Sequence, residues 1–413
     1  MIYERINKNL KYLIVPNKNK NVVSIKFVFK YGFDNEYVGI NNYTHLVEHI
    51  ISYYFNTKQC SIKEIKNLLS SKIFKTNAYT SNNHMCIYIN CYQKDIKFFL
   101  NLMYRAVYDT CITNENLNMS IKNVIRELHQ NEESNIIYDA IYKYVYKMNN
   151  YNTATGIKNV KNIDINEVNN FFSYLLNKEK IIAITCNKNY IKSNIKLIKK
   201  IFNIKTEKSK KNYDKKRIKY NMLNRNTLIK IYKPINSVNV TILIPIKYKL
   251  YNKKYWELII LLDTIFNFEK GLMYEVLRNK EKIIYSINYN LNYYANDYSF
   301  IEIYTNIEKN KIKKFIKKFY ECLDNFKIDI NTFNNNKKIL LFNNSYNFMN
   351  KLDSLLDYNI MNIVNNNNIS FKKSIKNLRS CTINNSGSLL KELRKRRHYI
   401  FLLNKGFKKR VHV

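Results

Sequence analysis

The chain has 413 residues, of which 46% are hydrophobic, so it is long enough and apolar enough for two or more folded domains. Its 70 Lys and Arg residues against 31 Asp and Glu give a formal net charge of +39, which suits an anionic partner such as nucleic acid but does not demonstrate one. No two of its six glycines lie within six residues of each other. This excludes a glycine-rich phosphate loop, and with it a Walker or dinucleotide site.

The cysteines and the N-terminus indicate the compartment. The seven cysteines form no CxxC pair, and several lie in apolar stretches, as is typical of buried reduced thiols. The N-terminus lacks the uninterrupted apolar core of a signal peptide. No stretch of about 18 uncharged apolar residues occurs that would cross a membrane. We therefore expect an intracellular, cytoplasmic protein without a membrane span, or a virion protein if the source is viral.

The first half of the chain alternates between strand and helix patterns. Residues Asn21–Tyr31 alternate and are β-branched, which predicts a strand, and a helix is predicted from about Asn41 to Tyr54. The following predicted elements are a short helix (Ile62–Ser70), two strands (Ile73–Thr80, His84–Tyr92), three helices (Asp95–Tyr108, Asn114–Met148, Ile165–Leu176), a strand (Ile181–Cys186) and a helix (Ile191–Phe202).

A polar segment, residues 207–220, separates the two halves. It has no apolar period and carries seven Lys or Arg residues, which predicts a solvated basic linker. Beyond it we predict strands Thr227–Tyr232 and Val238–Ile246, helices Tyr255–Phe266 and Leu272–Asn279, strands Ile283–Leu291 and Ser299–Thr305, and helix Lys309–Phe326. Because the order of elements repeats, we expect an α+β fold of two homologous domains, 1–206 and 221–413, each a mostly antiparallel sheet with helices packed on it.

The segment His45-Leu46-Val47-Glu48-His49 is an HxxEH sequence on a predicted helix. Residues four apart share a helix face, so both imidazoles can bind one zinc ion. Glu48 lies on the same side, where its carboxylate can take a proton from a zinc-activated water as that water attacks a carbonyl. Two histidines alone hold zinc poorly, and the best source of a third ligand is the predicted helix containing residues 123–128.

An HxxEH helix followed by a distant glutamate resembles the pitrilysin, insulysin and mitochondrial-processing-peptidase superfamily of inverted zincins. The resemblance covers most of the chain and rests also on residues 9–17, on the glycine and acidic turn Gly32–Glu36, and on Asn77-Ala78-Tyr79-Thr80, which match the NAxT strand. It implies a zinc metalloendopeptidase, a hydrolase with one Zn²⁺ per chain. Glu127, 82 residues after His45, would be the third ligand, and Glu48 the general base.

The same resemblance implies substrate-binding residues in both halves. Gly271–Arg278 and Tyr285-Ser286 match a motif in which an arginine and a tyrosine lie seven residues apart. Arg278 and Tyr285 would then reach the substrate carbonyl. Asn77 and Ala78 lie on an expected edge strand, which can pair with the backbone of a peptide or protein substrate by β-augmentation.

The chain departs from the family pattern at two places. The segment Gly39–Thr44 before the first histidine is longer by two residues, which bears on where the helix begins. Ser120 stands seven residues before Glu127, where the family usually has an acidic residue, and its loss would weaken zinc binding or slow the chemistry. The residues around Ser120 also resemble poxvirus-type metalloendopeptidases.

The resemblance and the net charge leave two alternatives to a peptidase, and the resemblance also implies a dimer. The superfamily contains non-catalytic assembly subunits, although these typically lose the HxxEH residues that are intact here. The net charge favours, as the second rival, a basic nucleic-acid-binding protein. Family members that work as closed chambers use four such domains, so we expect a homodimer or a heterodimer with a related subunit.

Overall fold

The computed structural model describes residues 1–18, 21–37, 39–54, 67, 69–145, 152–203, 211–213, 226–267, 271–293 and 299–407. It divides into two units, one of residues 1–221 with 350–365, the other of residues 222–349 with 366–413. None of the described helices is long and apolar enough to cross a membrane. The predicted helix Ile62–Ser70 and the predicted linker 207–220 lie mostly outside the described residues.

The first unit is built on a six-stranded sheet with the order β1-β2-β6-β3-β5-β4. Only β2 and β6 pair in parallel, and the other neighbours are antiparallel. Its strands are β1 (Ile2–Arg5), β2 (Leu10–Asn17), β3 (Val22–Phe29), β4 (Phe74–Thr80), β5 (Met85–Tyr92) and β6 (Lys180–Asn187). The central strands β3 and β6 are buried along nearly their whole length, as expected for strands covered on both faces.

The helices of the first unit follow the prediction at most positions. They are α1 (Tyr43–Tyr54), α2 (Ile96–Tyr108), α3 (Asn114–Gln130), α4 (Glu132–Ala140), a π-helical turn (Ile141–Val145), α5 (Thr153–Asn162), α6 (Ile165–Leu176) and α7 (Ile191–Ile201). The predicted single helix Asn114–Met148 is wrong, because the helix ends at Asn131, which has left the helical conformation. Helix α5 was not predicted; the Asn152 side chain begins it by accepting a hydrogen bond from the Thr155 N–H.

The second unit repeats the strand order of the first. Its sheet has the order β7-β11-β8-β10-β9, in which the first, fifth, second, fourth and third strands of the unit are neighbours. Strands β2, β6, β3, β5 and β4 have the same relative order in the first unit. The strands are β7 (Thr227–Tyr232), β8 (Val238–Ile246), β9 (Ile284–Tyr293), β10 (Ser299–Ile307) and β11 (Tyr399–Asn404). The predicted α+β fold of two homologous, mostly antiparallel domains is confirmed.

The later helices of the chain were largely missed by the prediction. The helical elements after residue 221 are α8 (Lys253–Phe266), a π-helical turn (Tyr274–Lys280), α9 (Ile312–Asn325), α10 (Ile330–Asn350), α11 (Ser354–Val364), α12 (Phe371–Arg379) and α13 (Ile383–Lys395). The helix predicted at Leu272–Asn279 is this π-helical turn. Helices α10 to α13 had no predicted counterpart.

Helix α11 returns to the first unit and covers the sheet face opposite to the other helices. Leu356, Ile360 and Val364 are four residues apart, share one helix face and join a buried cluster with Leu13 and Val28 of the sheet. The Lys26 ammonium on β3 pairs with the Asp357 carboxylate across the same contact. The predicted domain boundary at residues 207–220 placed this segment in the second domain, whereas residues 350–365 belong to the first unit.

Candidate metal centre

Three side chains from two packed helices of the first unit converge on one point. His45 and His49 on α1 have their Nε2 atoms 3.1 Å apart. Glu127 on α3 places Oε2 3.3 Å from the first and 3.5 Å from the second. Ligand atoms 2.0–2.1 Å from a tetrahedral zinc ion lie roughly 3.3–3.4 Å from one another. The triangle therefore has the size that three zinc ligands require.

The protonation of these groups also suits a metal ion. Burial, together with the neighbouring His45, lowers the pKa of His49 to about 4, so its imidazole is neutral near neutral pH. Hydrogen bonding to His45 lowers the pKa of Glu127, which keeps that carboxylate ionised. A metal ion needs neutral imidazoles and charged carboxylates as ligands. No other group of three His, Cys, Asp or Glu side chains converges in this way among the described residues.

Glu48 is held by the end of the edge strand. Its side chain is nearly buried, and its Oε2 accepts a 2.8 Å hydrogen bond from Thr80 Oγ1 at the end of β4. Burial raises the pKa of the Glu48 carboxyl, while His45 and the Thr80 hydrogen bond oppose the shift. A raised pKa favours proton transfer near neutrality. Thr80 is the last residue of the NAxT match, and its contact with Glu48 could not be read from the sequence.

Strand β4 is the edge of its sheet, and it carries Asn77 and Ala78. Both residues face β5 across an antiparallel register, Asn77 opposite Tyr88 and Ala78 opposite Ile87. Among the described residues no strand pairs with the other side of β4. The Asn77 Oδ1 atom accepts a 2.9 Å hydrogen bond from the Ala78 N–H.

Arg278 and Tyr285 contact each other within the second unit. The guanidinium carbon of Arg278 lies 4.3 Å from the centroid of the Tyr285 ring, which is a cation–π contact. Arg278 lies in the π-helical turn, and Tyr285 near the start of β9 is 72% exposed. Both line an open cavity of about 640 Å³. The turn between them passes through Lys282, whose φ of 52° is in the left-handed region.

Comparisons with known proteins agree with this arrangement. The family description "Insulinase (Peptidase family M16)" matches residues 12–156, and "Peptidase M16 inactive domain" matches residues 162–334. Together they span more than half of the chain. The chain belongs to the M16 peptidase family. This confirms the resemblance to the pitrilysin and insulysin superfamily, while the narrower resemblance to poxvirus endopeptidases stays a prediction.

Solved M16-like structures share the fold of the whole chain. A protease from Helicobacter pylori is 16% identical with a TM-score of 0.83, covering 96% of this chain and 97% of that one. The periplasmic protease PqqL from Escherichia coli is 13% identical with a TM-score of 0.77, covering 98% of this chain but 47% of that one. A peptidase M16 inactive domain from Pseudomonas fluorescens is 9% identical with a TM-score of 0.77, covering 98% of both chains. No curated protein sequence matches this chain.

The departure of this M16 chain at Ser120 leaves polar atoms unpaired. Ser120 is fully buried on α3, and its position seven residues before Glu127 puts both on nearly the same helix face. Its Oγ atom has no hydrogen-bond partner among the described residues, and neither has the buried Nδ1 atom of His45. Carboxylates commonly orient zinc-binding histidines through this second nitrogen. His45 receives no such contact from a described side chain.

Two further histidines and one arginine have structural roles. His84 is buried beside Tyr79 and Ser81. His398 stacks on Tyr320 and is buried directly before strand β11, which the sequence patterns did not predict. Arg394 donates hydrogen bonds to two backbone carbonyls at the end of α9.

Proposed function

We propose that this protein is a zinc metalloendopeptidase that hydrolyses peptide bonds in peptides or proteins. The observation that carries the proposal is the convergence of two imidazole nitrogens and one carboxylate oxygen, 3.1 to 3.5 Å apart, with His49 held neutral. These residues fit zinc in number, chemical type and spacing. His45, His49 and Glu127 would hold the ion. When bound, zinc lowers the pKa of a coordinated water and polarises a carbonyl.

The chain itself supplies the proton transfer. Glu48 takes a proton from the attacking water and returns it to the amine that leaves when the peptide bond breaks. The Thr80 hydroxyl donates to Oε2 of Glu48 and so holds the carboxylate in place for this transfer. Because Glu48 is nearly buried, few solvent molecules compete for its proton.

The substrate would be bound through its backbone. Asn77 and Ala78 on the open side of β4 pair with an extended peptide, which places the backbone without selecting a side chain. Arg278 and Tyr285 are hydrogen-bond donors suited to a carbonyl oxygen that gains negative charge during attack. Their mutual contact keeps both donors together at the surface of the second unit.

We further propose that the active form is a homodimer or a complex with a related subunit. The support is the match to PqqL, whose chain is about twice as long as the part that this chain covers. Two copies of a two-domain chain supply as many domains as one such long chain. Light scattering on the purified protein tests this proposal, and a monomer that cleaves peptides at the same concentration would refute it.

An inactive assembly subunit is the second candidate, and Ser120 is the observation that favours it. The buried Ser120 stands where the family usually has an acidic residue, and a buried nitrogen of His45 has no hydrogen-bond partner among the described residues. Measurement of bound zinc, combined with hydrolysis of a mixed peptide pool with and without a chelator, separates the two functions. The peptidase requires zinc close to one per chain and cleavage that stops on chelation. Zinc without cleavage would support the subunit, and a purified chain that binds no zinc would refute the proposed site.

A further inference from the structure

A buried carboxylate lies at the beginning of the helix that carries both histidines. Glu36 is fully buried, and its two oxygens accept backbone hydrogen bonds, each 2.7 Å long. The donors are the N–H groups of Asn42 and Thr44, directly before and within the first turn of α1. Both oxygens of this carboxylate are therefore used to hold the backbone of one helix start.

The start of α1 needs such a partner. The first N–H groups of a helix have no acceptor inside the helix and are usually satisfied by a side chain just before it. Here the preceding residue, Asn42, has a φ of 68° in the left-handed region, while its carbonyl accepts the helical bond from Leu46. Glu36, six residues earlier in the chain, takes the place of a local capping side chain.

Helix α5 packs against Asn42 and fixes its position. Gly156 of α5 lies against the Asn42 side chain, and a Cβ atom added there would come within 2.2 Å of Asn42 Nδ2. The Asn159 amide of the same helix donates to Asn41 Oδ1 over 3.5 Å. The longer segment before the first histidine thus ends in a defined conformation, and α1 begins at Tyr43.

The position of this start decides where His45 points. His45 follows Thr44 directly, and a shift of the helix by one residue turns each side chain by about 100° around the axis. The three ligand atoms converge within 3.5 Å, so a turn of that size would carry both histidines of α1 away from Glu127. Glu127 comes from another helix and would not follow the movement.

We propose that Glu36 is a positioning residue for the metal site, because its carboxylate fixes where α1 begins and so directs His45 and His49 together towards Glu127. This inference rests on the proposed zinc site. Glu36 touches neither metal nor substrate, and it acts only through the backbone of α1. Loss of a residue that orients a metal ligand typically lowers metal affinity roughly 10- to 100-fold.

The test replaces one acceptor oxygen by a donor. In Glu36→Gln an amide NH₂ meets a backbone N–H, so one of the two contacts becomes repulsive. The matched control is Asp329→Asn, because Asp329 Oδ2 likewise accepts the N–H of Thr332 at the start of α10, a helix of the second unit without a proposed ligand. Zinc affinity is measured by chelator competition at pH 8. The visible spectrum of the Co²⁺-substituted protein reports ligand geometry, and the melting temperature reports stability.

We expect Glu36→Gln to weaken zinc binding roughly 10- to 100-fold and to change the Co²⁺ spectrum. Asp329→Asn should keep the zinc affinity and the Co²⁺ spectrum of the wild type. Glu36→Asp, which keeps both oxygens on a shorter side chain, should restore part of the affinity, and it carries the test if Glu36→Gln does not fold. Wild-type affinity and spectrum in a folded Glu36 variant would overturn this inference alone. Absence of zinc binding by the wild type would instead overturn the proposed function.

Discussion

The hydroxyl of Thr80 donates a 2.8 Å hydrogen bond to Oε2 of Glu48, so the last residue of edge strand β4 holds the carboxylate on helix α1. The strand that we propose for substrate binding and the proposed general base are thereby connected through one contact. A side chain that orients a base restricts the rotamers from which proton transfer can occur. In the proposed mechanism, Thr80 is therefore a positioning residue for Glu48.

Thr80→Val tests this relationship, because valine keeps the shape of threonine and removes only the donor. We expect kcat for peptide hydrolysis to fall about tenfold, which corresponds to about 1.4 kcal/mol, near the lower limit for a hydrogen bond to a charged group. Zinc content should not change, since no ligand is altered. Thr80→Ser retains the hydroxyl and should keep most of the activity. Equal kcat values for Thr80→Val and the wild type would show that Glu48 does not depend on this contact.

Measurement of the metal content distinguishes the proposed roles of Glu48 and Glu127. Glu48→Gln should retain zinc and lose nearly all turnover, because it removes the proton acceptor but no ligand. Glu127→Gln should lower zinc occupancy, since a neutral amide is a poorer ligand than a carboxylate. Elemental analysis of the purified variants, together with peptide hydrolysis, measures both effects. An unchanged metal content and activity in Glu127→Gln would remove Glu127 from the ligand set.

Local patterns in the sequence predicted elements that are bounded by polar turns. Helix Ile165–Leu176 and strands Thr227–Tyr232 and Val238–Ile246 have the predicted limits. The HxxEH spacing likewise predicted that His45 and His49 share a face, because four residues make about one helical turn. The structure brings their nitrogens within 3.1 Å. Short-range periodicity was sufficient for these features.

Features that depend on distant packing could not be predicted in this way. An apolar stripe such as Leu356, Ile360 and Val364 shows that one helix face is buried, but not that it covers a sheet some 170 residues or more away in the chain. Strand β11 was missed because a basic run precedes its short apolar segment. The contacts of Glu36 could not be predicted for the same reason, since no periodicity links a glutamate in a turn to backbone N–H groups six and eight residues later.

Arg278 and Tyr285 provide a test of the second unit in catalysis. Tyr285→Phe and Arg278→Ala should each lower kcat/KM on the order of 10²-fold, because each removes a donor from a carbonyl oxygen that gains charge. Zinc content should stay the same, since neither residue is a ligand. Tyr304→Phe is the matched control, because Tyr304 is another exposed tyrosine of the same sheet. If both variants and the control all show wild-type kinetics, these donors do not contact the scissile bond.

Because Lys180 is buried, we expect the stability of the first unit to depend on pH. Its side chain is fully buried at the start of β6, where the ammonium donates hydrogen bonds to the carbonyls of Leu176 and Lys178 at the end of α6. Burial lowers the pKa of Lys180 from 10.5 to about 7. Between pH 7 and 10.5 the unfolded chain therefore binds this proton and the folded chain does not.

Because folding releases the Lys180 proton in that range, the free energy of unfolding should rise as the pH increases from 7 towards 10.5, by at most about 1.4 kcal/mol per pH unit from this group. Lys180→Met removes the titrating amine, so the variant should lack this increase. Urea denaturation followed by circular dichroism at pH 7.5, 8.5 and 9.5 gives the difference between the two proteins. Lys188→Met, at an exposed position just after β6, should follow the wild type. Parallel pH profiles for the wild type and Lys180→Met would mean that Lys180 stays protonated in the fold, with the two carbonyls of α6 compensating for its burial.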